Sequence, residues 1–113
     1  MSVSYAGFNA NSLTFRCSTK IDKGLPVKIY KSDNVKVCED EDIFHGFVVD
    51  GDSDYVSVQL SGIVTAEYTG AAPAVGMSTL VSNSLGMLKI STTGRECLVI
   101  SVDETAKTVT FLM

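Results

Sequence analysis

The chain has 113 residues, 45% hydrophobic and 19% charged, a balance that suits one globular domain with its own core and excludes bulk disorder. With 13 acidic against 9 basic side chains the formal net charge is −4. No basic patch is available to neutralise phosphates, so nucleic acid is not expected as a partner. No apolar run approaches a bilayer span, and the N-terminus lacks the basic and apolar regions of a signal peptide. The sequence therefore predicts a soluble chain made in the cytoplasm, with no membrane association.

In chain order, residues 1–11 (MSVSYAGFNAN) are rich in Ser, Ala, Asn and Gly around two isolated aromatics, Tyr5 and Phe8. That composition predicts an N-terminal arm, loose when free and ordered when bound. From residue 12 to 113 a single β-barrel domain is expected. Helix signals are nearly absent, and β-branched and aromatic residues recur in short alternating runs. These cover 12–16, 26–30, 35–37, 44–49, 55–60, 63–67, 78–81, 87–90, 97–102 and 108–113. Turn residues separate them, as in Ser32-Asp33-Asn34, Asp50-Gly51-Asp52, Asn83-Ser84-Leu85-Gly86, Thr93-Gly94 and Asp103-Glu104-Thr105. The Gly70–Gly76 segment could hold one helical turn at most. The pattern predicts an all-β fold, a small barrel or sandwich of about ten short strands.

The chain also reads as two pseudo-repeated halves, residues 24–60 and 76–113. Gly24-Leu25-Pro26-Val27-Lys28-Ile29 falls over Gly76-Met77-Ser78-Thr79-Leu80-Val81, then Phe47-Val48-Val49-Asp50 over Ile100-Ser101-Val102-Asp103, and Val56–Leu60 over Val109–Met113. The order of whole elements repeats: glycine, strand, turn, strand, loop, long apolar strand ending in Asp, turn, closing strand. Two such units are expected to close on each other, which removes exposed sheet edges.

Candidate chemistry is sparse. His45 is the single histidine, among Ile43, Phe44, Gly46 and Phe47 on an expected strand. In a small hydrolase it would act as the base, with Cys38 or a serine as nucleophile and one of residues 39–42 as orienter, but no G-x-S-x-G elbow is present. Asp50-Gly51-Asp52-Ser53-Asp54 resembles the opening of a calcium loop. Tyr55 and Ser61 then stand where that loop needs glycine and glutamate, so a hairpin turn is the expectation. The acidic run Glu39-Asp40-Glu41-Asp42 is read as a solvated loop, with a cation or a basic partner surface as the alternative. Cys17, Cys38 and Cys97 are odd in number and not in CxxC pairs, which fits buried thiols rather than disulfides or zinc. No catalytic residue, metal site or cofactor is expected, and the chain is read as non-enzymatic.

From Gly24 onward the order of motifs resembles a family of small phage head-decoration (capsid cement) proteins with a β-barrel fold. The residues that carry the resemblance are Gly24-Leu25-Pro26-Val27, Gly46-Phe47-Val48-Val49, and Val56-Ser57-Val58-Gln59-Leu60-Ser61-Gly62-Ile63-Val64. Thr69-Gly70, Gly76-Met77-Ser78-Thr79-Leu80, Gly86-Met87-Leu88-Lys89, and Leu98–Asp103 leading to Val109–Leu112 continue it. One departure is Glu96-Cys97-Leu98, where such proteins often carry a glycine. The resemblance implies a virion structural protein of phage or prophage, assembled in the host cytoplasm as a homo-oligomer, with a trimer favoured, and bound to the major capsid protein. A tail or baseplate component, or another protein-binding module on the same barrel, is the alternative. The expected contact residues are Tyr5, Phe8, Asn9 and Asn11 of the arm. The connector 61–75, which also lies outside the repeat, is the second place to look.

Overall fold

A computed structural model describes residues 11–113, which form ten β-strands and no helix. They are β1 Asn11–Arg16, β2 Pro26–Lys31, β3 Asn34–Val37, β4 Gly46–Gly51, β5 Tyr55–Ser61, β6 Ile63–Glu67, β7 Gly76–Ser82, β8 Leu88–Ile90, β9 Arg95–Asp103 and β10 Thr108–Leu112. The all-β organisation in two halves is thus the one the chain adopts. Every strand except β6 differs from its expected run by one or two residues at one or both ends. β1 starts one residue early, at Asn11; β7 and β9 start two early, at Gly76 and Arg95; β4 starts two late, at Gly46.

The first five strands close into a barrel in the order β1-β3-β2-β4-β5, with β5 returning antiparallel onto β1. The second five form a sheet in the order β6-β10-β9-β7-β8. Strands β6 to β10 keep the neighbour order of β1 to β5, with a single bridge just past β6 in place of the β1–β3 pairing. Even the parallel closure recurs. Arg16 faces Asn34 in the first unit, and the Arg16 N–H donates to the Asp33 carbonyl at 2.8 Å. Tyr68 faces Leu88 in the second, and the Thr69 N–H donates to the Leu88 carbonyl at 2.8 Å. The halves therefore do not complete one another's sheet; each returns to its own first strand.

Local chemistry repeats with the topology. The β4–β5 and β9–β10 hairpins are both held by an aspartate side chain. Asp52 Oδ1 accepts from the Asp54 and Tyr55 N–H groups at 2.8 and 2.9 Å, and Asp103 Oδ1 from the Thr105 and Ala106 N–H groups at 3.0 Å each. The glycines that open each unit, Gly24 and Gly76, have φ of 89° and 101° with open space around a notional Cβ. Conformation rather than crowding demands glycine there.

Apolar alternation sorts into two cores. In the first, Val27, Val35, Val48, Val56 and Val58 pack with Cys17 and Ile21. The second gathers Leu80, Leu88, Val99, Val109 and Phe111 from its own strands, together with Cys38, Phe44 and Phe47 from the first unit. Cys38 and Phe44 reach it because the β3–β4 connector, residues 38–45, crosses to the second unit, and Phe47 at the start of β4 follows them. The connector pairs Asp42 with Ser82, whose N–H donates to the Asp42 carbonyl at 2.9 Å. Phe44, Phe47 and Phe111 form a triangle of tilted rings with centroids 5.3 to 6.1 Å apart, a geometry that adds to the area they bury. The connector thus acts as a strap that fills the second core with first-unit side chains.

Candidate functional site

His45 lies on the strap, one residue before β4, and not within a strand. Its Nδ1 accepts the Ile29 N–H at 2.8 Å, and its own N–H donates to the Val27 carbonyl at 2.8 Å. An accepting Nδ1 puts the proton of the neutral ring on Nε2. Arg95 completes the joint. Its Nη1 donates to the His45 carbonyl at 2.9 Å while the guanidinium stands 5.9 Å from the Phe44 ring centre. His45 therefore serves the backbone of β2 where the β2–β4 ladder stops after Val27 and Gly46.

The acidic run is occupied by the protein's own lysines. Lys89, on β8 of the second unit, reaches Asp40 at 3.0 Å and Glu41 at 3.6 Å, and Lys28 meets Asp42 at 2.6 Å. The Lys28 hydrogen bond, helped by the Glu39 N–H at 2.7 Å, holds the Asp42 carboxyl below the usual carboxylate range. The calcium-like turn likewise spends Asp52 on capping its own hairpin, and those two backbone N–H groups lower its pKa. Among the described residues no group of three or more His, Cys, Asp or Glu side chains is placed to hold a metal ion.

The thiols are buried and unpaired. Burial pushes Cys38 up to about 12, with Asp42 adding to the effect, and Cys97 up to about 11. Cys17 is also raised, by burial first and then by Asp52 and Asp54. A nucleophile needs its thiolate near neutral pH, and these environments disfavour it.

Tyr5, Phe8 and Asn9 lie outside the described residues. Asn11 opens β1 opposite Ser61, and its Nδ2 donates to Ser61 Oγ at 3.0 Å. Two surface features remain. On the outer face of the second sheet, Met77 pairs with Leu98 and Leu98 with Leu112, which in turn faces Ile63. This makes an apolar row across four strands, and Met77 and Leu98 keep 59% and 41% of their surface exposed. The other is a cleft of about 300 Å³ between the units, lined by Lys23, Gly24 and Leu25 of the first unit and by Thr65–Glu67 and Leu85–Met87 of the second. A second hollow of about 240 Å³ continues it past Leu25 and Leu85 to Val37 and Cys38. The expectation of contacts in 61–75 pointed at one wall of this cleft. The Leu85 part of its lining carried no signal in sequence, because a single exposed Leu85 in an Asn-Ser-Leu-Gly turn reads only as a turn.

A comparison with family models finds no match, and a search of curated proteins finds no similar sequence.

Proposed function

We propose that this chain is a non-enzymatic structural subunit of a virion, a decoration protein that binds the major capsid protein as a homo-oligomer, with a trimer favoured. The observation that carries the reading is the employment of its reactive groups. The single histidine, the acidic run and the hairpin aspartate each bond to the chain's own backbone or lysines, and the thiols are buried. The surface keeps a four-strand apolar row and an inter-unit cleft instead, features that serve binding to protein. The resemblance read from the sequence supplies the kind of partner. Co-sedimentation with undecorated capsids tests it: saturable binding at the stoichiometry of the lattice is expected, together with a trimer by light scattering. Absence of binding, or a strict monomer at high concentration, turns the reading toward a tail component or another protein-binding module.

A further inference from the structure

The ladder between β6 and β10 is regular, with Ile63 opposite Leu112 and Glu67 opposite Thr108. At one end the Gly62 carbonyl accepts from the Met113 N–H, and at the other the Tyr68 N–H donates to the Lys107 carbonyl. Alternation along an antiparallel strand then assigns Val64 and Ala66 to bonds with β10, and turns Ile63, Thr65 and Glu67 the other way. On that side the Ile63 carbonyl takes the Gln59 Nε2, and the Thr69 N–H takes the Leu88 carbonyl. The same parallel bridge gives the Glu67 carbonyl the Leu88 N–H, so between these two points the Thr65 N–H and C=O and the Glu67 N–H have no partner among the described residues. Such a stretch of open edge is a template for another strand.

The edge does not face open solvent alone. It lines the 300 Å³ cleft together with Leu25, Leu85 and Met87. Leu85 is 74% exposed. Lys23 and Glu67 also line it, opposite charges that make no ion pair with any described residue. An occupant must therefore offer backbone donors and acceptors, one apolar side chain, and charges of both signs spaced along a strand. The chain's own residues 1–10 (MSVSYAGFNA) contain no Asp, Glu, Lys or Arg, so charge complementarity favours another protein.

We propose that the free edge of β6 takes up an extended segment of a partner protein as an added strand, with an apolar side chain between Leu25, Leu85 and Met87 and flanking acidic and basic side chains paired with Lys23 and Glu67. Recognition of this mode draws affinity from main-chain hydrogen bonds and selectivity from alternate side chains. It does not depend on which protein supplies the segment, so a failure to bind capsids leaves it standing.

The test uses the full chain, labelled for NMR, and two capped peptides, Asp-Thr-Leu-Thr-Lys and Lys-Thr-Leu-Thr-Asp, which present the same face in the two strand directions. The expected result is saturable shift changes centred on the Thr65 and Glu67 amides, with slowed exchange at both, for one peptide of the pair. Leu85→Ser should weaken that binding roughly tenfold, about 1.4 kcal/mol. Thr65→Pro should abolish it, since proline removes a donor aimed away from β10, and an otherwise unchanged amide spectrum shows that the variant folds. Binding that survives Thr65→Pro in the folded variant, or no shift at either amide at millimolar peptide, overturns the proposal. So do two other outcomes: amides at 65 and 67 already protected in the free dilute chain, which means the chain fills its own edge, and protection that appears only as protein concentration rises, which means a second copy does.

Discussion

The first unit fills its interior almost entirely with valine and keeps that interior to itself, whereas the second is built around three phenylalanines of which two belong to the first unit. Strand order, the parallel seam and the capped hairpin agree between them. What differs is the connector before the fourth strand of each. Residues 38–45 form the strap, whereas residues 91–94 form a short turn around Gly94, where a Cβ would lie 2.2 Å from the Leu80 carbonyl oxygen. A repeated topology can thus be made inseparable by lengthening one loop. The longer loop supplies apolar bulk that the neighbouring unit's own strands lack.

The sharpest way to break this comparison is to remove the strap's anchor. Phe44→Ala should cost about 3–5 kcal/mol in denaturant unfolding, more than Val35→Ala in the first core. Equal losses would mean that the strap is peripheral. Alkaline titration is the next test. For a thiol whose folded pKa is raised, the stabilising contribution is complete below its unfolded value of about 8.5 and is lost as pH rises toward the folded one, about 11 for Cys97 and about 12 for Cys38. Stability should therefore fall across that range, and Cys38→Ala should blunt the fall. Thiol labelling of the folded protein at pH 8 should reach Cys17, in the first unit, before either thiol of the second core.

A smaller effect is expected on the acid side. Asp42 has a lowered pKa, so its contribution is present above the unfolded value of about 3.9 and is lost as pH falls through the folded one. Asp42→Asn should remove that acid-labile part, about 1 kcal/mol or less for a half-buried pair. The smallest effects sharpen the likeness between the units rather than the difference. Asp52→Ala and Asp103→Ala each remove two equivalent hairpin bonds, so they should lower the thermal midpoint by matching amounts. Unequal shifts would show that one hairpin is held mainly by its surroundings.

Most of the strand pattern was legible because alternation and turn residues are local. Val56, Val58 and Leu60 announce β5 without knowledge of any partner, and the offset between Gly24 and Gly76 announces two units. The strap was not legible. Its residues read as an acidic loop beside a lone histidine, and what decides their place lies far along the chain, at Lys89, Ser82 and Phe111. The two halves were also expected to share a barrel, because sequence shows that edges must be covered but not which strand covers them. For the same reason the open edge of β6 left no trace in Ile63–Glu67. Whether a strand is central or marginal is a property of its neighbours, and here the neighbour is missing on one side only.

The strap has a consequence for biosynthesis. A ribosome releases the first unit before the strands that receive Phe44 and Phe47 exist, and at roughly 5–20 residues per second the wait for Phe111 lasts several seconds. During that interval two aromatic rings have nowhere to go, and the nascent first unit is as sticky as its strap is long. Completion of the chain is therefore also what makes its first half safe from aggregation.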